Sequence, residues 1–294
     1  MANLFKKMVS NSGTITVLNR TLFIIAFLLL SVQVFAHGDL TKRINEKTKE
    51  ILKSPNNFKL YYERGFLYQQ HVEFNKALED YIKSTSLGNT DKVLLYRIAE
   101  VNYLTEDYSD ALESITKYLE VDSIDVKAKK LEAQILFKLK VYKESLEAYH
   151  YVCNNMIDIR PEDILEHCDI ILAENDKNYT DALNIIEFGL EKLGSNIFSL
   201  QVRKLEYLKD SDQIKKAIEQ YNYFILEYNR REFWYYKKAK YLTEVNKKKE
   251  AIISLKLATI TIEQLDTKFK NMSSITKLKN QIKSLEISIN NQKL

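Results

Sequence analysis

Four consecutive residues, Glu166, His167, Cys168 and Asp169, set a thiol, an imidazole and two carboxylates side by side. These are the residue types of a nucleophile, its base and an orienting acid. A nucleophile and its base must lie within hydrogen-bonding reach, whereas adjacent residues of a helix point about 100° apart. Cys168 therefore reads as a packing residue. Cys153 lies fifteen residues earlier, and in an oxidising compartment a disulfide between the two stays open. The other histidines are His37, His71 and His150. Cleavage after Ala36 would give His37 a free amine beside its imidazole, a copper-chelating pair, so the alternative function is a periplasmic copper-handling protein using that residue. No HExxH, CxxC or Gly-rich phosphate loop occurs. The sequence thus predicts no catalytic residue, no cofactor and no enzyme.

The elements that must position side chains are helical. Six Gly and two Pro among 294 residues leave too few turn formers for a β-sandwich or a Gly-rich nucleotide fold, and 45% hydrophobic content excludes a disordered chain. The N-terminus has its own character. Lys6, Lys7 and Arg20 precede the apolar run Leu22 to Leu30, followed by Val34-Phe35-Ala36. That is the layout of a secretory signal over residues 1–36, and the run is short of the roughly 20 residues of a membrane span. The expected location is periplasmic, with an uncleaved anchor as the alternative.

A repeat then runs along the chain. Ala77, Ala111, Ser145, Ala182, Ala217 and Ala251 each open an amphipathic stretch, at separations of 34, 34, 37, 35 and 34 residues. Twelve residues before most of them stand Gly65, Ala99, Ala133, Leu205 and Ala239. Apolar residues three and four apart flank a short polar gap in each unit, which predicts two antiparallel helices joined by a tight turn. Small residues belong where the helices cross closely. The fourth unit is irregular: Cys168 takes the small position, with two extra residues around Glu174 to Tyr179. The fifth carries Leu205 at a small position, which predicts a splayed or shifted pair.

The stretch from Tyr61 to Asn89, with Tyr61, Gly65, Tyr68, Ala77, Tyr81 and Ser84, resembles the tetratricopeptide repeat (TPR), as does the second unit with Leu95, Ala99, Ala111 and Ile115. The resemblance covers residues 56–265. It implies an all-α, right-handed α-solenoid of about six helix hairpins, with an N-terminal helix in 37–55 and a capping helix in 266–294. Leu265, Phe269, Met272, Ile275, Leu278, Ile282, Leu285 and Ile289 form the stripe assigned to that cap, with a dimer as the alternative.

By the same resemblance the concave groove is lined by first-helix residues: Tyr62, Phe66 and Gln69, then Tyr96, Glu100 and Tyr103, then Lys130, Gln134 and Phe137. Aromatic rings with polar neighbours suit a protein or peptide ligand. The expected function is an exported protein-interaction scaffold assisting assembly of an envelope complex, with the four rings Tyr62, Phe66, Tyr96 and Tyr103 exposed and contiguous. Tyr62 and Phe66 stand where a chaperone-docking TPR would need Lys and Asn, so a carboxylate clamp is not expected.

Charge excludes a nucleic-acid surface. Without residues 1–36 the chain has 41 basic against 40 acidic residues, and from Lys247 onward ten Lys oppose Glu250, Glu263, Asp266 and Glu286. Membrane contact is thus expected only through an uncleaved signal or the basic C-terminal helix.

Overall fold

The structure is a computed structural model that describes residues 38–291, and no strand occurs among them. Helix α1 spans 38–53. Six hairpins follow: α2 (Phe58–Gln70) with α3 (Phe74–Ser86), α4 (Lys92–Leu104) with α5 (Tyr108–Val121), α6 (Val126–Lys138) with α7 (Tyr142–Asn155), α8 (Pro161–Glu174) with α9 (Tyr179–Leu193), α10 (Phe198–Asp210) with α11 (Ile214–Glu227), and α12 (Arg231–Glu244) with α13 (Lys248–Glu263). Helices α14 (Thr267–Lys270) and α15 (Ser273–Asn291) complete the described chain. The architecture is an all-α solenoid of consecutive helix pairs. Contacts group it into two compact units, Met1–Ala148 and Tyr149–Leu294. The signal segment and His37 lie outside the described residues.

Asparagine and aspartate start several first helices. Asn57, Asp91 and Asp125 accept hydrogen bonds from the backbone N–H groups of Lys59, Val93 and Lys127, satisfying donors the first turn leaves open. In the fourth hairpin Pro161 at the first helical turn does the starting.

The turn inside each hairpin explains how the chain manages with so little glycine. Val72, Glu106, Lys140, Asp212 and Asn246 all have positive φ, from 55° to 65°. They occupy one register, seven residues after the first small position. The next residue's N–H returns to the carbonyl five residues back in every case, as in Glu73 to Tyr68 at 2.9 Å and Lys247 to Leu242 at 2.7 Å, a helix-ending motif that favours glycine at the left-handed position. In the fourth hairpin the turn runs from Asn175 to Asn178 with no such residue, which is where the two extra residues fall. A β-branched side chain is least suited to that conformation. Val72 is exposed, so Val72→Gly is expected to raise stability by about 1 kcal/mol, read as an upward shift of the urea midpoint at unchanged m-value.

The crossings follow the small residues. A Cβ added at Gly65 would meet Tyr81 Cδ1 and Cε1 at 2.8 Å and the Ala77 carbonyl at 3.2 Å, so a hydrogen is what lets α2 lie on α3. Ser145 Oγ donates to the Ala133 carbonyl at 2.8 Å, and Cys168 Sγ to the Ala182 carbonyl at 3.4 Å, in equivalent crossings. The α10/α11 pair packs less extensively than α2/α3, α4/α5 or α12/α13. Leu205, buried with Ala217 in one cluster, stands there in place of a small residue.

Unit 1 opens with α1 antiparallel to α2: Lys47 Nζ pairs with Glu63 at 2.7 Å and Arg64 Nη1 donates to Thr48 at 3.1 Å, while Ile44 and Ile51 are buried. Arg64 also forks onto Asp80 of α3 through two 2.7 Å hydrogen bonds. In unit 2, Ile275, Leu278, Ile282 and Ile289 of α15 join Ala239, Leu242, Leu255 and Ile262 in one core. The C-terminal stripe is therefore buried within the chain from Ile275 onward. Its earlier members differ: the helix breaks at α14, leaving Phe269 and Met272 exposed.

Candidate peptide-binding face

Tyr62, Phe66 and Gln69 of α2 share one face because their spacing of four and three spans about two helical turns. Tyr96, Glu100 and Tyr103 repeat that spacing on α4, and Lys130, Gln134 and Phe137 on α6. All nine belong to unit 1 and all are half-buried.

The first two sets are joined directly. Gln69 Nε2 donates to Glu100 Oε2 at 2.6 Å, and Tyr81 OH donates to Gln69 Oε1 at 2.7 Å. Arg97 Nη1 donates to the same Glu100 oxygen at 2.8 Å, and its guanidinium lies 4.9 Å from the centroid of the Phe66 ring. Burial is the largest single influence on Arg97 and would depress its pKa, but the Glu100 hydrogen bond and charge, with the nearby Tyr81 and Tyr62, together raise it above the ordinary value. Burial raises the Tyr96 phenol, helped by the Glu100 charge. The face therefore carries a fixed cation and a fixed anion over aromatic ground. Arg97 Nε is buried without a partner among the described residues.

The rings are less free than a fully exposed groove requires. Tyr62 packs on Tyr81 at 5.9 Å between centroids, Tyr96 on Tyr118 at 5.6 Å, Tyr103 on Tyr108 at 5.8 Å and Phe137 on Tyr142 at 5.6 Å. Of the five candidate lining rings, all except Phe66 lean on an aromatic of their own second helix, so one edge faces outward and the other holds the hairpin together. Helix α1 adds a feature that the repeat pattern does not contain. Its Arg43, Glu46, Lys47 and Glu50 enclose a pocket of about 310 Å³ with Tyr62 and Phe66.

Unit 2 offers a second recess in the same register. Tyr236 of α12, equivalent to Tyr62 and Tyr96, lines a recess of about 790 Å³ with Ser273, Thr276, Lys277, Asn280, Gln281, Ser284 and Leu285.

Glu166 to Asp169 face four ways on α8. Glu166 Oε2 accepts from Tyr149 OH at 2.6 Å, Asp169 is exposed and accepts from Arg203 at 3.2 Å, and His167 and Cys168 are buried. Burial pushes the Cys168 thiol up to about 12, away from thiolate chemistry. Cys153 and Cys168 are both buried, and no disulfide joins them. No group of three metal-ligating side chains occurs among the described residues.

No protein-family profile and no curated protein matches the sequence. Solved structures do match. The C-terminal part of a TPR repeat-containing protein from Cytophaga hutchinsonii superposes with a TM-score of 0.59 over 78% of this chain and 93% of its own, at 14% identity. A tetratricopeptide repeat protein from Parabacteroides merdae does so at 0.51, over 83% and 93%, at 15% identity. The fold is that of the tetratricopeptide repeat. A chain of the Naa15/Naa10 assembly bound to HypK-THB matches at 0.50 over 85% of this chain but 44% of its own length, at 13% identity.

Two features of the face escape the TPR register. Arg97 is not a lining position of the repeat, and its only signal in sequence is a spacing of three from Glu100. The α1 charges lie outside the repeats altogether.

Proposed function

We propose that the chain is an exported, non-catalytic TPR scaffold that holds a protein or peptide on the first-helix face of unit 1 and thereby assists assembly of an envelope complex. One observation carries the reading: Phe66, Gln69, Arg97 and Glu100 join two consecutive hairpins into one surface with fixed charges and an aromatic floor. Such a surface matches an extended segment, whose backbone takes the amide and charged groups and whose side chains take the rings. The solved assembly of Naa15/Naa10 with HypK-THB supports protein partners for the fold in general. The signal-like N-terminus supports export.

The supporting residues dictate the test. Ala at Tyr62, Tyr96 or Tyr103 also removes a hairpin contact, so Phe66→Ala and Arg97→Ala are the informative variants. In a pulldown from envelope extracts with the chain from His37 onward, both are expected to lose a partner that wild type retains, at unchanged circular dichroism. A partner set identical to wild type would refute the face. Each substitution is expected to weaken a purified partner by about 1–3 kcal/mol.

A further inference from the structure

The outward face of the last second helix breaks the pattern of the other five. At the equivalent triplet of positions, each preceding second helix carries a glutamate: Glu79 in α3, Glu113 in α5, Glu147 in α7, Glu191 in α9 and Glu219 in α11, all exposed. In α13 the triplet is Ile253, Leu257 and Ile260, exposed by 58, 37 and 48%. At 100° per residue these three lie within about 60° of one another. They form one apolar stripe. The opposite side of α13, through Ala251, Leu255, Ala258 and Ile262, is already buried in the core, so the stripe is not packing left over from the hairpin.

Its surroundings are net cationic: between Lys247 and Lys270 six lysines oppose Glu250, which Lys247 holds at 3.0 Å, Glu263 and Asp266. Lys249 and Lys256 flank the stripe on the same exposed side, and neither forms an ion pair among the described residues. Beyond α13, Leu265 packs against the core and α14 then presents Lys268, Phe269 and Lys270, with Phe269 and Met272 exposed by 40 and 41%. Every basic residue from Lys247 to the end of the chain is lysine; there is no arginine.

We infer that this face of α13, with the α14 turn, docks on the surface of an anionic lipid bilayer. A stripe of aliphatic side chains with lysines at its border seats at the boundary between headgroups and acyl chains, the lysine stems lying along the apolar part and the ammonium groups reaching the phosphates. No helix among the described residues is long and apolar enough to cross a membrane, so the contact is one of lying on the surface. A second copy of the chain fits poorly: it would bring the same lysines against each other, and three half-exposed side chains fall far short of the roughly 800 Å² per partner of a stable dimer. An acidic protein meets the charge, but protein interfaces favour arginine and are depleted in lysine. This reading is independent of the unit 1 face.

The test places a polarity-sensitive fluorophore on Leu257→Cys in the full chain; Cys153 and Cys168 are buried, so labelling is directed to the surface. Vesicles of phosphatidylglycerol with phosphatidylcholine are compared with phosphatidylcholine alone. The N-terminal apolar segment is common to all variants, so differences between them report this face. A blue shift with anionic vesicles is expected, at a lipid midpoint at least about tenfold lower than with zwitterionic vesicles. Lys249→Gln with Lys256→Gln is expected to raise the midpoint about tenfold, and Ile253→Ser with Ile260→Ser by a similar factor, at unchanged circular dichroism. No blue shift with anionic vesicles overturns the inference, as does an equal response to both vesicle types. A shift that grows with protein concentration in the absence of lipid assigns the face to self-association instead. A shift produced by an acidic protein and by neither vesicle assigns it to a protein partner.

Discussion

Phe224→Ala is expected to destabilise unit 2 by about 3–5 kcal/mol. Phe224 is fully buried and stacks on Trp234 with centroids 4.0 Å apart and planes 7° from parallel. Phe198 and Tyr228 close the cluster at 6.0 and 5.5 Å. Truncation would remove an aromatic transfer term, leave a cavity that rings on three sides cannot fill, and forfeit a stacking contribution of about 0.5–1.5 kcal/mol. The site links α11 to α12, the join where the fifth hairpin meets the sixth. The α10/α11 pair packs less extensively than other hairpins, and the aromatic stack, together with Tyr221 against Tyr241 at 5.6 Å, ties that hairpin to its successor. Trp234 is the only tryptophan in the chain, so its emission is a direct reporter. Wild type should unfold in urea with a late tryptophan transition. The variant should show a red-shifted native spectrum and a markedly lower midpoint in tryptophan emission, and an unchanged midpoint would refute the assignment.

The repeat was legible because its spacing and small residues are consequences of close helix crossing, which tolerates little else. Gly65 and Ala77 show this directly, since even one added carbon at Gly65 collides with Tyr81. Other features leave weaker traces. The left-handed turn position holds Val, Glu, Lys, Asp and Asn in five hairpins, so no residue type announces it; the backbone pays for that geometry through packing elsewhere. The break before α15 was hidden because Phe269 and Met272 continue the three-and-four spacing across it. Asp266 and Asn271, residues that favour turns, were the available sign. At the candidate face, the spacing of Tyr62, Phe66, Gln69, Tyr96, Glu100 and Tyr103 located the surface. It did not reveal that three of the four candidate lining rings on α2 and α4, Tyr62, Tyr96 and Tyr103, support second helices, because pairing across a hairpin depends on ring orientation. Nor did it reveal Arg97, whose place over Phe66 depends on the relation of α2 to α4.

Acid is expected to loosen unit 2 through His167, well before most carboxylates titrate. His167 is 1% exposed, its Nδ1 has no hydrogen-bond partner, and its ring lies 5.5 Å from Tyr149 and 6.0 Å from His150. Burial, with a smaller contribution from His150, lowers its pKa from 6.5 to about 4. The unfolded chain therefore binds a proton at this residue at a pH where the folded chain does not. The resulting stability is present in full above pH 6.5 and is lost as the pH falls towards 4. About 2 kcal/mol should go between pH 7 and 5, approaching about 3 kcal/mol below pH 4. His167→Leu supplies the control, because an apolar side chain of similar size strands no hydrogen-bond partner at Nδ1 and carries no titration. The measurement is the urea midpoint of the tryptophan signal at pH 7 and pH 5 for both proteins. Wild type should lose more stability than His167→Leu over that interval by about 2 kcal/mol, and parallel losses would mean that the folded state accommodates the imidazolium. The glutamate beside it does not rescue the charge: Glu166 points to the Tyr149 hydroxyl at 2.6 Å, and neighbours in a helix face different directions. The run that reads as catalytic chemistry in sequence is thus expected to supply, through His167, an acid-sensitive element of the core.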